Sequence, residues 1–568
     1  MPENNRSRIV SEEYADLLIG YYGNLSMLDQ FVDATVDIIN SEFAVVHVPA
    51  SQITNSAVYE FGYSSIPSLF GLISRESLEA SGVPQIRSLP NFNLLGQGVL
   101  MGVIDSGIDY TNPIFRNEDG TSRIELIWDQ TISSENNETT VNYGSEFTKE
   151  QIDEALQSED PLAMVPSTDE VGHGTMVAGI AGGGEVPESG FSGVAPEVEF
   201  VVVKLKPAKR VIKDFFRIPE EAIAYQETDI LFGIEYLLNA ARRLNKPMVI
   251  CLALGTSQGA HDGRGLLSGY LSRVATTSGI AIVIAGGNEG NARRHFFGSV
   301  DPAIGFNTVE LNVGENETGF SMELWGQSPS IYSIDIQSPT GEFVPRISSS
   351  LDENREISFV FEETVIYVDY QMVESQSGDQ LILVRFTNPT PGIWRFNVFE
   401  RGDIDAGFHI WLPMEGFITD FTYFIRSDPY TTLLSLGNSE RPITVTAYND
   451  IDDSLYINSS RGYTRIGVIK PEIAAPGVNV TGPTLNQGFA EYTGTSVSAA
   501  HTAGIVAMIL EWGYVRNNLS GISTVEIKKL IIRGGKRDSD IVYPNRNWGY
   551  GILDVFNVFD SLRINVIV

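Results

Sequence analysis

Three short segments, far apart in the chain, carry the residue types of a nucleophile and its base. VIDSGID (103–109) supplies Asp105, GHGT (172–175) supplies His173 and GTSVSAAHTAG (494–504) supplies Ser496. A serine hydroxyl is a weak nucleophile at neutral pH. It needs a base within hydrogen-bond reach, and that base needs a third group to fix its tautomer and stabilise its cation. On this logic Ser496 is the nucleophile, His173 the general base and then acid, and Asp105 the orienting carboxylate. Ser496 opens a long apolar stretch with helical spacing. The expected helix N-terminus would set free N–H groups and a positive dipole end beside the nucleophile, where an oxyanion forms. Asn288, in AIVIAGGNEG (281–290), is the expected second donor to that oxyanion.

These side chains need a rigid frame, and the surrounding sequence reads as one. VLMGVID (99–105) is an apolar run that would deliver Asp105 at the C-terminal end of a buried strand. VEFVVVKL (198–205), PMVICLAL (247–254) and IAIVIAG (280–286) are continuous and rich in β-branched residues, as in strands buried on both faces of a parallel sheet. TDILFGIEYLLNAARRLN (228–245) has a helical apolar stripe, with Thr228 as its expected cap. Strand, helix and strand in this order make a βαβ unit, and the fold class is α/β. The stretch 207–227 is longer than such connections usually are and reads as a surface insertion near the cleft.

The segments VIDSGID, GHGTMVAGI, ALGTSQG (253–259), AGGNEG (285–290), KPEIAAPG (470–477) and GTSVSAAHTAG together resemble the subtilases, the subtilisin family of serine proteases. The order Asp, His, Ser is that family's order. WGYGILDVFNV (548–558) resembles the closing segment of its core. The resemblance implies a core of mostly parallel sheet flanked by helices, and serine endopeptidase activity on protein or peptide substrates. It implies that Leu254, Gly255 and Thr256 line the cleft and pair with an extended substrate backbone. It implies that Ala285, Gly286 and Gly287 form one wall of the primary specificity pocket. It also implies an α+β prodomain over residues 1–70, cut by the enzyme itself somewhere in 64–82 and retained after the cut. A triad used for self-processing alone, leaving a binding or signalling module, is the alternative. Ala500 stands before His501 where the family usually has Pro, a change compatible with a helix.

Asn288 and Ser496 are much further apart than that core requires. The excess, 300–435, consists of short alternating or aromatic runs between Gly, Pro, Asn and Asp turns. This is the pattern of an inserted antiparallel β-sandwich of jelly-roll type. The core would then comprise 71–299 and 436–568. Within residues 1–70, SEEYADLLIGYYG (11–23) reads as helical and FAVVHVPAS (43–51) as β. This arrangement resembles the germination proteases of clostridial spores and related clostridial subtilases. That likeness implies activation of a spore-cortex hydrolase zymogen by a bacterial, spore-associated enzyme. The N-terminus does not read as a secretory signal peptide.

The chain has 568 residues, a formal net charge of −34 and a pI near 4.5. Such a surface repels nucleic acid and anionic membranes, so neither is an expected partner. No apolar run approaches the roughly 18 residues of a membrane span. A single cysteine, Cys251, rules out an intramolecular disulfide and sits in an apolar strand, where it is expected to be inert. No two histidines have metal-ligand spacing, and no cofactor or metal is expected. The acidic turn 452–454 reads as solvated surface, and the sequence leaves calcium open. His501 is expected to pack in its helix and His261 to serve loop structure, while His47, His295 and His409 carry no motif.

Overall fold

The computed structural model of the chain describes residues 8–31, 34–73, 75–76, 94–133, 141, 143–347, 353–402 and 406–562. At its centre is a nine-stranded sheet. The strands Ile443–Asn449, Ile280–Ala285, Met248–Leu252, Leu100–Asp105, Glu199–Lys204 and Ile124–Asp129 are neighbours in that order, and every pair is parallel. Ile473–Pro476 pairs parallel with Ile443–Asn449, whereas Ser145–Thr148 and Ser454–Leu455 are antiparallel edges.

Both faces of the sheet are covered, which is why its strands read as unbroken apolar runs. Met101, Val103, Val249 and Cys251 point to one face, which carries the helices His173–Gly182 and Thr495–Leu510. Leu100, Ile104, Ile250 and Leu252 point to the other, which carries Glu227–Leu244 and Leu266–Val274. Every residue of Thr495–Leu510 is buried, so this helix has no polar face at all. Glu511, just beyond it, accepts the backbone N–H groups of Leu95, Gly96 and Gln97. That carboxylate fixes the chain as it enters the strand ending at Asp105.

The strands from Asn307–Val313 to Tyr423–Phe424 are antiparallel and form two sheets, with His295–Gly298 at one edge. They enclose an apolar core of their own, with Trp394, Phe386 and Tyr332 fully buried.

The N-terminal region forms a three-stranded antiparallel sheet, in the order Tyr14–Gly20, Phe43–Pro49, Thr35–Ile38. The helix expected over 11–23 is therefore a strand. Ala15, Leu17 and Ile19 join one core and Leu18 the other, so both faces are buried and the alternation that marks a strand is lost. This sheet packs on the central helices. Phe43 meets Tyr270 edge to face, and Asn40 donates to Glu235 at 2.8 Å. A buried polar cluster ties it down further. His47 bridges Asp16 and Asp37 at 2.6 and 2.9 Å, and Lys209 pairs with Asp16 at 2.7 Å.

The stretch 207–227, expected as a surface insertion near the cleft, is ordered as the helix Arg210–Phe216, with Phe215 and Phe216 buried, and the strand Tyr225–Gln226 at the cleft. Thr228 is not a cap, because the helix begins at Glu227 and Thr228 lies buried in its first turn.

Candidate active site

Asp105, His173 and Ser496 each sit at the end of an element. Asp105 closes the strand Leu100–Asp105, His173 opens the helix His173–Gly182, and Ser496 lies in the first turn of Thr495–Leu510. The first two can meet because residue 174 is glycine: a Cβ there would lie 2.1 Å from the carbonyl oxygen of Gly107. His173 Nδ1 lies 2.8 and 2.9 Å from the two carboxylate oxygens of Asp105, and its Nε2 lies 3.3 Å from Ser496 Oγ. All three residues are buried. Burial alone would depress the His173 imidazole, but the neighbouring Asp105 carboxylate, seconded by Asp169, holds it above its ordinary value of 6.5.

The site already contains a peptide, and it belongs to this chain. Leu69–Leu72 lies between two antiparallel neighbours, with Leu69 and Phe70 opposite Gln226 and Tyr225, and Gly71 and Leu72 opposite Gly255 and Leu254. The next carbonyl, that of Ile73, accepts from Ser496 Oγ at 2.6 Å and from Asn288 Nδ2 at 3.3 Å. Beyond it, Arg75–Glu76 pairs antiparallel with Phe489–Thr493. Ser74 and residues 77–82 of the region expected to contain the cut lie outside the described residues.

Asn288 is oriented by Thr495, whose N–H and hydroxyl both donate to its Oδ1, at 3.1 and 3.2 Å. Its amide nitrogen is thereby turned toward Ile73. Leu254 and Gly255 are the cleft strand itself. Thr256 supports the following turn, accepting from Gln258 N–H at 3.1 Å and from Ser435 N–H at 2.8 Å. Ala285 ends a central strand opposite Val445, and Gly286 and Gly287 continue from it. A Cβ on Gly287 would lie 2.6 Å from Leu434 Cγ, and one on Gly255 would lie 2.7 Å from Leu434 Cδ1 and 3.1 Å from Ile73 Cδ1. Leu434 thus occupies the space between these glycines, beside the Ile73 side chain.

Several residues of the site carried no recognised signal. Asp169 accepts from Ser106 Oγ, from the N–H groups of Val171 and Gly172, and from both N–H and hydroxyl of Thr175. It caps the helix that presents His173, whose own N-cap residue, Gly172, has no side chain for the task. An acidic residue shortly before a helix start was the available clue. Gln258 accepts Leu69 N–H at 2.8 Å, and Glu227 exchanges two bonds with the backbone of Ser68, at 3.0 and 3.2 Å. Burial pushes the Glu227 carboxyl up to about 7.

The other candidates are packed residues. His261 lies between the carbonyls of Leu433 and Ser257, at 2.8 and 2.9 Å from its two ring nitrogens, and donates to one of them, and it stacks on Trp411 at 4.1 Å. His295 and His409 join the same stack and share a 2.9 Å hydrogen bond. Burial holds all three, and His501, below the ordinary imidazole value. Among the described residues, no three His, Cys, Asp or Glu side chains converge as metal ligands, and no helix is long and apolar enough to cross a membrane. Cys251 is buried, which raises its thiol and keeps it protonated.

This geometry can be compared with known proteins. The Subtilase family model matches residues 96–314 and 429–551, leaving out most of the antiparallel sheets. The structure of the Clostridium perfringens CspB protease is similar, with a TM-score of 0.74 and 32% sequence identity, over 83% of this chain and 94% of that one. The PI-type proteinase of Lactococcus lactis subsp. cremoris is 24% identical over 84% of this chain. The subtilisin-like protease SBT3.8 of Arabidopsis thaliana is 23% identical over 74% of this chain. The chain spans 26% of the length of the former and 57% of the latter. A family model that skips the β-rich insert yet takes up the strands and helices carrying Asp105, His173, Asn288 and Ser496, together with a solved relative alike along nearly its whole length, leaves one assignment: the chain belongs to the subtilase family.

Proposed function

We propose that the chain is a serine endopeptidase that first cuts its own Ile73–Ser74 bond. The observation that carries this reading is the Ile73 carbonyl, held 2.6 Å from Ser496 Oγ and 3.3 Å from the Asn288 amide. In the first step Ser496 Oγ bonds to the Ile73 carbonyl carbon while its proton passes to His173 Nε2. Asp105 steadies the imidazolium, and Asn288 with the helix N-terminus takes up the negative charge on the oxygen. His173 then gives the proton to the nitrogen of Ser74, the C–N bond breaks, and Ile73 is left as an ester on Ser496. Water, deprotonated by the same imidazole, hydrolyses the ester and restores the hydroxyl.

Residues 1–73 would then act as the prodomain, extending the unit expected over 1–70 to the cut, with residues 300–435 a separate jelly-roll-like insert. Retention after the cut is supported by the contacts between them. Arg385 and Asn354 donate to the Asn55 carbonyl, each at 2.7 Å, and Tyr63 donates to buried Glu323 at 2.6 Å. For substrates in trans, Leu434 shortens the pocket beside the scissile bond, so an aliphatic residue the size of Ile73 is preferred there over an aromatic one. The resemblance to the germination proteases of clostridial spores suggests a further reading, in which the substrate is the zymogen of a spore-cortex hydrolase.

Two experiments test this reading. N-terminal sequencing of the purified protein is expected to find a fragment beginning at Ser74. A fluorophosphonate probe is expected to label Ser496 after that cut. Cleavage without labelling would instead favour the alternative, in which the triad serves self-processing alone and the retained segment keeps the cleft closed.

The pH profile follows from His173. Only the neutral imidazole accepts the serine proton, so kcat/KM for a peptide should fall as the pH drops through a midpoint above 6.5. Asp169→Asn removes one of the charges that raise the imidazole and should move that midpoint down. A wild-type rate that stays flat well below 6.5 would contradict the assignment of the base.

A further inference from the structure

Gly71 stands third before the Ile73–Ser74 bond, counting Ile73 as first. Its backbone is outside the left-handed region, so conformation does not require glycine there. Space does. A Cβ at this position would lie 3.3 Å from Met414 Cε and 3.3 Å from both Cε1 and Cζ of Phe417. That is tighter than ordinary van der Waals contact, so the Phe417 ring or the Met414 methyl must give by a few tenths of an ångström even for a Cβ, and a side chain continuing in that direction asks for more.

Met414 and Phe417 belong to the β-rich insert itself, in the connection between its strands Phe408–Trp411 and Tyr423–Phe424. Both are almost fully buried, at 2% and 3% exposure, so neither can swing into solvent to make room. The segment is pinned at several points. Leu412 N–H donates to Arg294 O, Glu415 N–H donates to Glu289, and Arg294 bridges Glu289 and Asp420 at 3.0 and 2.8 Å. Phe417 N–H closes a turn on Met414 O at 3.1 Å. The turn therefore roofs the cleft over this one position, while Leu72 beside it is only partly buried.

We propose that Met414 and Phe417 are specificity-determining residues, which restrict the third residue before the cleaved bond to glycine, with alanine admitted at a cost. The substrate class is an extended peptide with glycine at that place, followed by two aliphatic residues. This rests on the protease reading above and adds to it a filter supplied by the insert.

The test uses the full, self-processed chain and the peptides Phe-Gly-Leu-Ile-Ser-Arg, Phe-Ala-Leu-Ile-Ser-Arg and Phe-Leu-Leu-Ile-Ser-Arg. A retained N-terminal segment competes equally with all three, so ratios of kcat/KM are unaffected by it. The glycine peptide should be cut on the order of 100-fold faster than the leucine peptide, with alanine between them. In Met414→Ala and Phe417→Ala the leucine peptide should gain and the ratio should fall. Equal rates on the wild-type protein overturn the proposal, and this comparison needs no substitution that could disturb folding. An unchanged ratio in two folded variants overturns it as well, as does cleavage of none of the peptides by protein whose Ser496 takes the fluorophosphonate. Failure of the probe to label Ser496, with no peptide cut, overturns the protease reading itself and the filter with it.

Discussion

Ser496→Ala is expected to leave the 568-residue chain uncut and to abolish peptide hydrolysis, a loss on the order of 10⁴–10⁶ in kcat. The reason is geometric. Ser496 Oγ is the hydroxyl nearest the Ile73 carbonyl, and no other described nucleophile lies within hydrogen-bond distance of it. His173→Ala should give nearly the same loss, because hydroxyl and imidazole act as one unit and the second deletion removes little beyond the first. The readouts are intact mass after expression, where both variants should appear as single uncut chains, and peptide turnover. Thermal melting guards against a trivial explanation. Removing one hydroxyl, or one ring at the mouth of the cleft, should leave a cooperative transition within a few degrees of wild type. A folded Ser496→Ala protein that still appears in two pieces would sink both the nucleophile and the cis-cleavage assignment.

How far the sequence could lead depended on whether an element's neighbours are local. The strands at 100–105, 199–204, 248–252 and 280–285 were legible because burial on two faces demands unbroken apolar runs. The positions of Asp105, His173 and Ser496 followed from strand ends and glycine-rich turns. The strand Tyr14–Gly20 reads as helical in the sequence because both its faces are buried, Ala15, Leu17 and Ile19 in one core and Leu18 in the other, which erases the alternation. Thr495 and Asp169 were missed for a different reason. Each acts through another residue, and a threonine beside a serine or an aspartate before a helix has ordinary reasons to be there.

The carbonyl that meets Ser496 was legible only to within 64–82, and the roof over Gly71 was not legible. Both depend on which distant segments share one cleft. Ile73 meets Ser496 across 423 positions, and Gly71 meets Met414 and Phe417 only because the insert folds back over the N-terminal segment. Leu434 makes the same point, since it enters the pocket on the chain that returns from that insert. If the insert filters substrates, as proposed, it does so through the connection between its strands Phe408–Trp411 and Tyr423–Phe424.

Asn288→Ala should lower kcat by roughly 10²–10³, about 2.7–4 kcal/mol of transition-state stabilisation, and leave KM close to wild type. The split follows from the bond's length. At 3.3 Å, Asn288 Nδ2 holds the planar Ile73 carbonyl only weakly, and the bond can strengthen when the oxygen gains charge and the carbon becomes tetrahedral. The variant should therefore still cut itself, slowly, where Ser496→Ala does not. Following the uncut band over time after refolding separates the two cases. Asn288→Asp should be worse than Asn288→Ala. It keeps the oxygen that Thr495 bonds, but sets a negative charge where the oxyanion must form. Thr495→Val offers the complementary measurement. It leaves the amide in place and removes the hydroxyl donor that orients it, so a loss smaller than that of Asn288→Ala, again in kcat rather than KM, is expected. If Asn288→Ala instead raised KM and spared kcat, the amide would be gripping substrate rather than transition state, and the charge on the oxygen would have to be met by the helix N-terminus at Ser496 alone.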